Sequence, residues 1–293
     1  MIQPQQEPFN QKIAFENDFG IELYVKREDV LHSEISGNKF RKLQYNLQEA
    51  NRLGFAKLLT FGGAYSNHIA AVAAAGKEFG FETIGVIRGE ELAEKFLENP
   101  TLKKASENGM QFEFITRSQY RDKNNVEFLA QLKNKFGEFY LIPEGGTNEL
   151  AVKGCEEMLT AEDEIFDFIC CAVGTGGTIS GIINSLQSHQ KAFGFPALKG
   201  DFLFADVKKY AKNNRWDLVK DYHFGGYAKI NAELIEFIHL FKQNYALSLE
   251  PIYTGKMFYG ITDLIHQGFF PENSKILAIH TGGLQGLNSG IGE

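Results

Sequence analysis

The sequence predicts an α/β protein built from two doubly wound parallel sheets, and three observations carry that expectation. From Lys57 onward, short β-prone runs alternate with helical runs. The alternation is interrupted once, at Pro143-Glu144-Gly145-Gly146, and then resumes. Runs such as Phe166 to Val173 are apolar throughout, as befits strands buried on both faces. Strand–helix–strand repeats of this length imply parallel strands covered by helices on either side.

In chain order, residues 1–20 show little periodicity and read as an arm, and Ile21 to Lys26 is a short strand. Phe40, Leu43, Leu47 and Ala50 recur at helical spacing, which predicts a helix from Asn38 to Leu53 opened by the turn chemistry of Ser36-Gly37-Asn38. Strands follow at Leu58 to Phe61, Thr83 to Ile87, Phe112 to Ile115 and Phe139 to Ile142. Between them stand helices at Ser66 to Phe79, around Leu102 to Asn108, and at Val126 to Phe136. The second round has a helix from Glu149 to Leu159, the strand Phe166 to Val173, and a helix from Ile179 to about Gln187. Residues 188–230 offer two weak strands at most. Helices at Asn231 to Tyr245 and Lys256 to Gln267 and a strand at Ile276 to Ile279 close the chain.

Composition narrows the function classes. The 293 residues suffice for one large domain or two ordinary ones. A net charge of −7 argues against nucleic acid as the main partner. No apolar run is long enough to span a membrane, and the N-terminus lacks a basic-then-apolar leader, so a cytoplasmic protein is expected. Cys155, Cys170 and Cys171 lack metal-ligand spacing and read as buried thiols; no metal site is expected.

Ligands of open parallel sheets bind beyond the carboxyl ends of the strands, and four loops here lie in such positions. Gly62-Gly63-Ala64-Tyr65-Ser66-Asn67-His68 leads into a helix, and its amides with the Ser66 hydroxyl would hold a carboxylate; a plain turn capped by Ser66 is the alternative. Val173-Gly174-Thr175-Gly176-Gly177-Thr178 lacks both the Lys-Ser/Thr ending of a nucleotide P-loop and the setting of a dinucleotide fingerprint. What remains is a cup of N–H and hydroxyl donors sized for one phosphate group. Pro251-Ile252-Tyr253-Thr254-Gly255-Lys256 offers a tyrosine that packs in the core or handles a proton, and His280-Thr281-Gly282-Gly283 is the fourth loop. Lys39, on the first turn of its helix, is either a solvated neighbour of Arg41 and Lys42 or an amine made acidic by the positive helix end. A Schiff-base lysine, a cup for a single phosphate and a partner for a ring nitrogen together suit pyridoxal 5′-phosphate.

The order and wording of these segments, Ser-Gly-Asn-Lys-Phe-Arg-Lys-Leu and Ser-Asn-His above all, resemble the tryptophan-synthase-β-like (fold type II) pyridoxal-phosphate enzymes. Within them the chain resembles the 1-aminocyclopropane-1-carboxylate deaminase/D-cysteine desulfhydrase family, over roughly Lys26 to Gly283. The resemblance implies a homodimer whose small domain (54–145) is inserted in a large cofactor-binding domain (1–53 and 146–293). It implies that Lys39 joins covalently to the cofactor and later moves the substrate α-proton. Asn67 would contact the cofactor's phenolic oxygen. Ser66, with Tyr65, Asn67 and His68 around it, would face the substrate carboxylate. Gly174, Thr175, Gly176, Gly177 and Thr178 would hold the phosphate. Tyr253 and Tyr227 match the two tyrosines near the substrate, and Thr254 and Thr281 are candidates for the ring nitrogen.

One residue type separates the reactions of that family. Its cyclopropane deaminases carry an acid after the tyrosine, which would keep the ring nitrogen protonated; here that position is Thr254. A hydroxyl cannot enforce that proton, whereas β-elimination asks less of the ring because the leaving thiolate carries the electrons away. The expectation is therefore a D-cysteine desulfhydrase-like activity giving pyruvate, ammonia and sulfide. Cyclopropane ring opening, another β-elimination or β-replacement on a small amino acid, and a catalytically silent paralogue that only binds are the alternatives. Two departures bear on substrate choice: Tyr65 stands where the family has glutamine, and the chain is short around 188–220.

Overall fold

A computed structural model describes residues 3–284; the outermost ends of the expected large domain, 1–2 and 285–293, lie outside the described residues. The chain runs β1 (Asn10–Ile13), β2 (Glu22–Lys26), α1 (Asn38–Arg52), β3 (Lys57–Gly62), α2 (Asn67–Phe79) and β4 (Glu82–Arg88). It continues through α3 (Pro100–Glu107), β5 (Gln111–Ile115), α4 (Arg117–Arg121), α5 (Val126–Phe136), β6 (Tyr140–Ile142) and α6 (Glu149–Cys155). The remainder is β7 (Phe168–Val173), α7 (Gly177–Asn184), β8 (Lys191–Pro196), α8 (Phe202–Lys208), β9 (Trp216–Leu218), α9 (Ala232–Tyr245), α10 (Thr254–His266) and β10 (Lys275–Ile279).

Two sheets result. The four-stranded one has the order β5-β4-β3-β6 and is parallel throughout. The six-stranded one has the order β1-β2-β10-β7-β8-β9, parallel except where β1 meets β2. The period of two along β7 shows why its strands read as unbroken apolar runs. Cys170 and Ala172 enter the core under α9 and α10, while Ile169, Cys171 and Val173 enter the core under α7 and α8. The adjacent cysteines thus point to opposite faces, and all three cysteines are free and buried.

Three corrections concern local structure. The N-terminal arm contains β1, whose Asn-Gln-Lys-Ile lacks an apolar pattern because it is an edge strand. Residues 188–230 hold α8 besides two strands; Phe202 and Phe204 are 51% and 44% exposed, so its aromatic residues form no inward stripe to read. Helix α6 stops at Cys155, short of the expected Leu159.

Helix α1 is the seam between the two sheets. Phe40, Leu43, Leu47 and Ala50 share a core with Leu58, Ile69 and Val72 of the smaller unit. Its opposite side meets the larger one: Arg41 forms a two-pronged pair with buried Glu28 (2.9 and 3.0 Å), and Asn46 and Asn148 exchange side-chain hydrogen bonds. The carboxyl ends of β3, β4 and β6 in one sheet, and of β7 and β10 in the other, open onto one cavity of about 1500 Å³.

Candidate active site

The start of α1 is clamped by the loop after β10. Gly37, at φ 56°, precedes the helix, and a Cβ there would run into the Thr281 carbonyl. The Asn38 amide donates to that carbonyl at 3.2 Å. This places Lys39 against the cavity, its amine 3.0 Å from Asn38 Oδ1. Burial, and then the charge of Lys42, push the Lys39 amine down to about 7. The sequence assigned that shift to the helix end; burial is the larger cause.

Lys42 is not the surface cation that the sequence suggested. It is 3% exposed, and its ammonium donates to the Gly145 carbonyl (2.9 Å) and Thr147 Oγ1 (3.0 Å), with Thr175 Oγ1 at 3.5 Å. The signal was available: Lys39 and Lys42 are three apart and share a helix face. Together with the cup after β7, Lys42 makes an anion site. No side chain caps α7 at Gly176, so its first amides are left for a ligand. Thr178 Oγ1 accepts from Asn38 Nδ2 at 2.9 Å, tying the cup to the lysine helix. Gly174, Thr175, Gly176 and Thr178 line the cavity, and Gly177 lies behind them as the first residue of α7.

Tyr65, Ser66, Asn67 and His68 all line the opposite wall. Ser66 does cap α2, accepting from the Ile69 amide at 3.3 Å, yet its O–H stays free to donate into the cavity. His68 is 2% exposed; burial and the charges of Lys39 and Lys42 hold its pKa well below the usual value. Its Nε2 meets Thr60 Oγ1 at 2.8 Å, and its buried Nδ1 has no hydrogen-bond partner among the described residues. A neutral imidazole contributes a dipole to that wall, not a cation.

Tyr253 and Tyr227 meet edge to face, ring centroids 6.2 Å apart, on the cavity wall. Burial lifts both phenols, Tyr253 well above 10. A Cβ at Gly174 would stand 3.1 Å from the Tyr253 ring, so cup and tyrosine are in direct register. Buried Lys256 donates to the His223 and Gly226 carbonyls (2.9 and 2.8 Å), anchoring the loop that presents Tyr227.

The two threonines part ways. Thr281 lines the cavity, whereas Thr254 is fully buried and its hydroxyl is committed to Glu250. Glu250 went unnoticed in the sequence, four residues before Thr254. Its carboxylate lines the cavity and accepts from the amides of Ile252, Tyr253 and Thr254 and from Thr254 Oγ1, at 2.5–3.1 Å. Burial lifts its pKa despite those bonds. Among the described residues, no three His, Cys, Asp or Glu side chains stand together as metal ligands.

A poorly protonated buried amine, a donor cup backed by Lys42 and the orphaned Nδ1 of His68 share one cavity. These features fit a group carrying an aldehyde and a single phosphate. Comparisons with known proteins point the same way. A family profile described as pyridoxal-phosphate dependent enzyme matches residues 5–282. The chain is 32% identical over 298 residues to the mitochondrial bifunctional D-cysteine desulfhydrase/1-aminocyclopropane-1-carboxylate deaminase of Arabidopsis thaliana, covering 92% of this chain and 74% of the relative. It is 26% identical to a D-cysteine desulfhydrase of Serratia proteamaculans (94% and 91% covered). A crystal structure of an ACC deaminase homologue superposes with a TM-score of 0.83 at 29% identity, over 97% of this chain and 92% of the other.

Proposed function

Since this chain belongs to the pyridoxal-phosphate dependent enzyme family, and within it to the 1-aminocyclopropane-1-carboxylate deaminase/D-cysteine desulfhydrase family, we propose that it releases sulfide from D-cysteine by α,β-elimination, leaving pyruvate and ammonia. Pyridoxal phosphate, when bound, supplies the electron sink that makes the substrate's α-C–H acidic. The protein does the rest. The amides of Gly63 to Asn67 and the Ser66 hydroxyl hold the carboxylate. The Lys39 amine takes the α-proton. The edge-to-face Tyr253–Tyr227 pair supplies a proton to the departing sulfur. The released enamine then takes up water and loses ammonia.

The state of Glu250 supports elimination over ring opening. Four donors fill its carboxylate, which has about four lone-pair sites. It therefore has no free oxygen with which to hold a proton on a ring nitrogen, and Thr254 is equally committed. Ring opening of a cyclopropane needs that electrophilic help most. The test is a panel of D- and L-amino acids and 1-aminocyclopropane-1-carboxylate, assayed for pyruvate, 2-oxobutyrate and sulfide. Equimolar sulfide and pyruvate from D-cysteine is the expected result. Faster 2-oxobutyrate release from the cyclopropane would assign ring opening instead, and no product despite bound chromophore would mark a silent binder.

In the same reading Lys42 balances the phosphate charge. Lys42→Met should weaken cofactor binding by roughly 10- to 100-fold, the worth of one charge-assisted hydrogen bond. Titrating apoprotein with pyridoxal phosphate by absorbance checks this; unchanged affinity would remove Lys42 from the phosphate site. In this reading the enzyme works as a homodimer, for which analytical ultracentrifugation is the check. Among the described residues, no helix is long and apolar enough to cross a membrane.

A further inference from the structure

The cavity rim carries a cation that the reaction above does not use. Arg88 ends β4, the strand beside β3 in the smaller sheet, so its side chain stands at the same carboxyl edge that supplies the Gly62–His68 loop. One of its Nη atoms lies 3.6 Å from the position a Cβ would take on Gly63. Its guanidinium carbon is 5.6 Å from the Tyr120 ring centroid, and its charge reaches the Tyr227 hydroxyl on the far wall. Arg88 thus lies between the loop proposed for the α-carboxylate and the tyrosine pair proposed for the leaving group.

Two of its neighbours on the rim are already neutralised. Arg117 pairs with Glu91 and Lys123 with Glu144, both at 3.3 Å. The one nearby phenol, Tyr120, donates to Glu144 at 2.7 Å and so offers Arg88 only its face. Among the described residues Arg88 has no carboxylate and no hydrogen-bond acceptor. A guanidinium presents a planar fork of donors that matches a carboxylate, sulfonate or phosphate. Held at a cavity wall with its fork open, it is suited to an anion that arrives with the ligand.

From this juxtaposition we propose that Arg88 forms a second anion subsite, through which the site also accepts small amino acids bearing an acidic group besides the α-carboxylate. The inference rests on the reading that the Gly62–His68 loop takes the α-carboxylate. With that loop occupied by the first anionic group, Arg88 stands beside it as a donor for the second.

The experiment is calorimetric titration of the holoenzyme with succinate and with butyrate, unreactive four-carbon acids that differ by one carboxylate. Wild type should bind succinate at least about tenfold more tightly than butyrate, the scale of a charge-assisted pair. Arg88→Gln should abolish that preference while changing butyrate affinity less than about twofold, and Arg88→Lys should restore part of it. Similar affinity for the two acids, no heat with succinate, a preference that survives Arg88→Gln, or equal weakening of both acids would each overturn the proposal. Equal weakening would place Arg88 on the shared carboxylate. Because neither acid is turned over, the titration decides the role of Arg88 even if the amino-acid panel refutes elimination.

Discussion

Lys39→Ala should give a folded protein with no near-visible cofactor absorbance and elimination reduced at least about 10³-fold, at the upper end of what one positioned acid–base group contributes. Two consequences follow from one amine. In the proposed mechanism it tethers the cofactor covalently, and it takes the α-proton. A surface lysine could do neither near neutral pH, because about 3.5 units separate its usual pKa from 7. Burial lowers the amine to about 7, so a large share is unprotonated under ordinary conditions. The rate at which apoprotein recaptures cofactor should therefore rise with pH up to about 7 and level off above it. Stability carries the same signature. The folded-state pKa lies below the unfolded value of 10.5, so the unfolded chain binds more protons between those values and wild-type apoprotein gains stability as pH rises through them. Lys39→Ala lacks that term, and the stability difference between the two apoproteins should shift steadily in favour of wild type from pH 7 toward 10.5. Thermal melts across that range, with absorbance spectra of the purified variant, are the measurements. A variant that keeps the wild-type spectrum would refute the lysine assignment.

The parts of this fold legible in the sequence are those where one physical signal dominates. Strands β3, β4, β7 and β10 are buried on both faces, α1, α2, α9 and α10 carry apolar stripes, and side chains cap α2 and α9. Strand β1 and helix α8 escaped because each is partly solvated, so burial imposed no pattern on them. The same division runs through the site. Loops with glycine and hydroxyl residues announced themselves, because backbone amides can approach an anion only where side chains stay out of the way. Charged residues were harder to place. Lys42, Arg88 and Glu250 look alike in a sequence as solvated charges. The structure sends one into the cup, leaves one open on the rim, and spends the third on the first turn of α10.

Glu250 shows how that placement changes the chemical argument. Reading Thr254 as a neutral stand-in for an acid supposed that no carboxylate was near. One is near, and it reaches the cavity wall. Its oxygens nevertheless serve the backbone: three amides and one hydroxyl of the turn leading into α10 converge on them. The proposal first drawn from Thr254 therefore rests on a different reason. The acid is present but saturated, and the cost of stripping buried amides of their acceptor keeps it so.

Tyr253→Phe should retain the cofactor, keep KM within about threefold and lose elimination by about 10²- to 10³-fold, the range for one proton donor. The phenol sits beside the cup at Gly174 and packs edge to face against Tyr227, ring centroids 6.2 Å apart, on the cavity wall. The two phenols should for that reason behave as a unit. Tyr227→Phe should cost less, because Tyr253 keeps a proton to give, and the double variant should fall little below Tyr253→Phe alone. Additive losses would mean that the tyrosines act independently. The leaving group supplies a sharper check. Sulfide departs as a basic anion and needs the proton, whereas chloride does not, so β-chloroalanine should lose far less activity in Tyr253→Phe than cysteine does. Equal losses for both substrates would show that Tyr253 shapes the pocket without delivering a proton, and full activity with cysteine would remove it from the mechanism altogether.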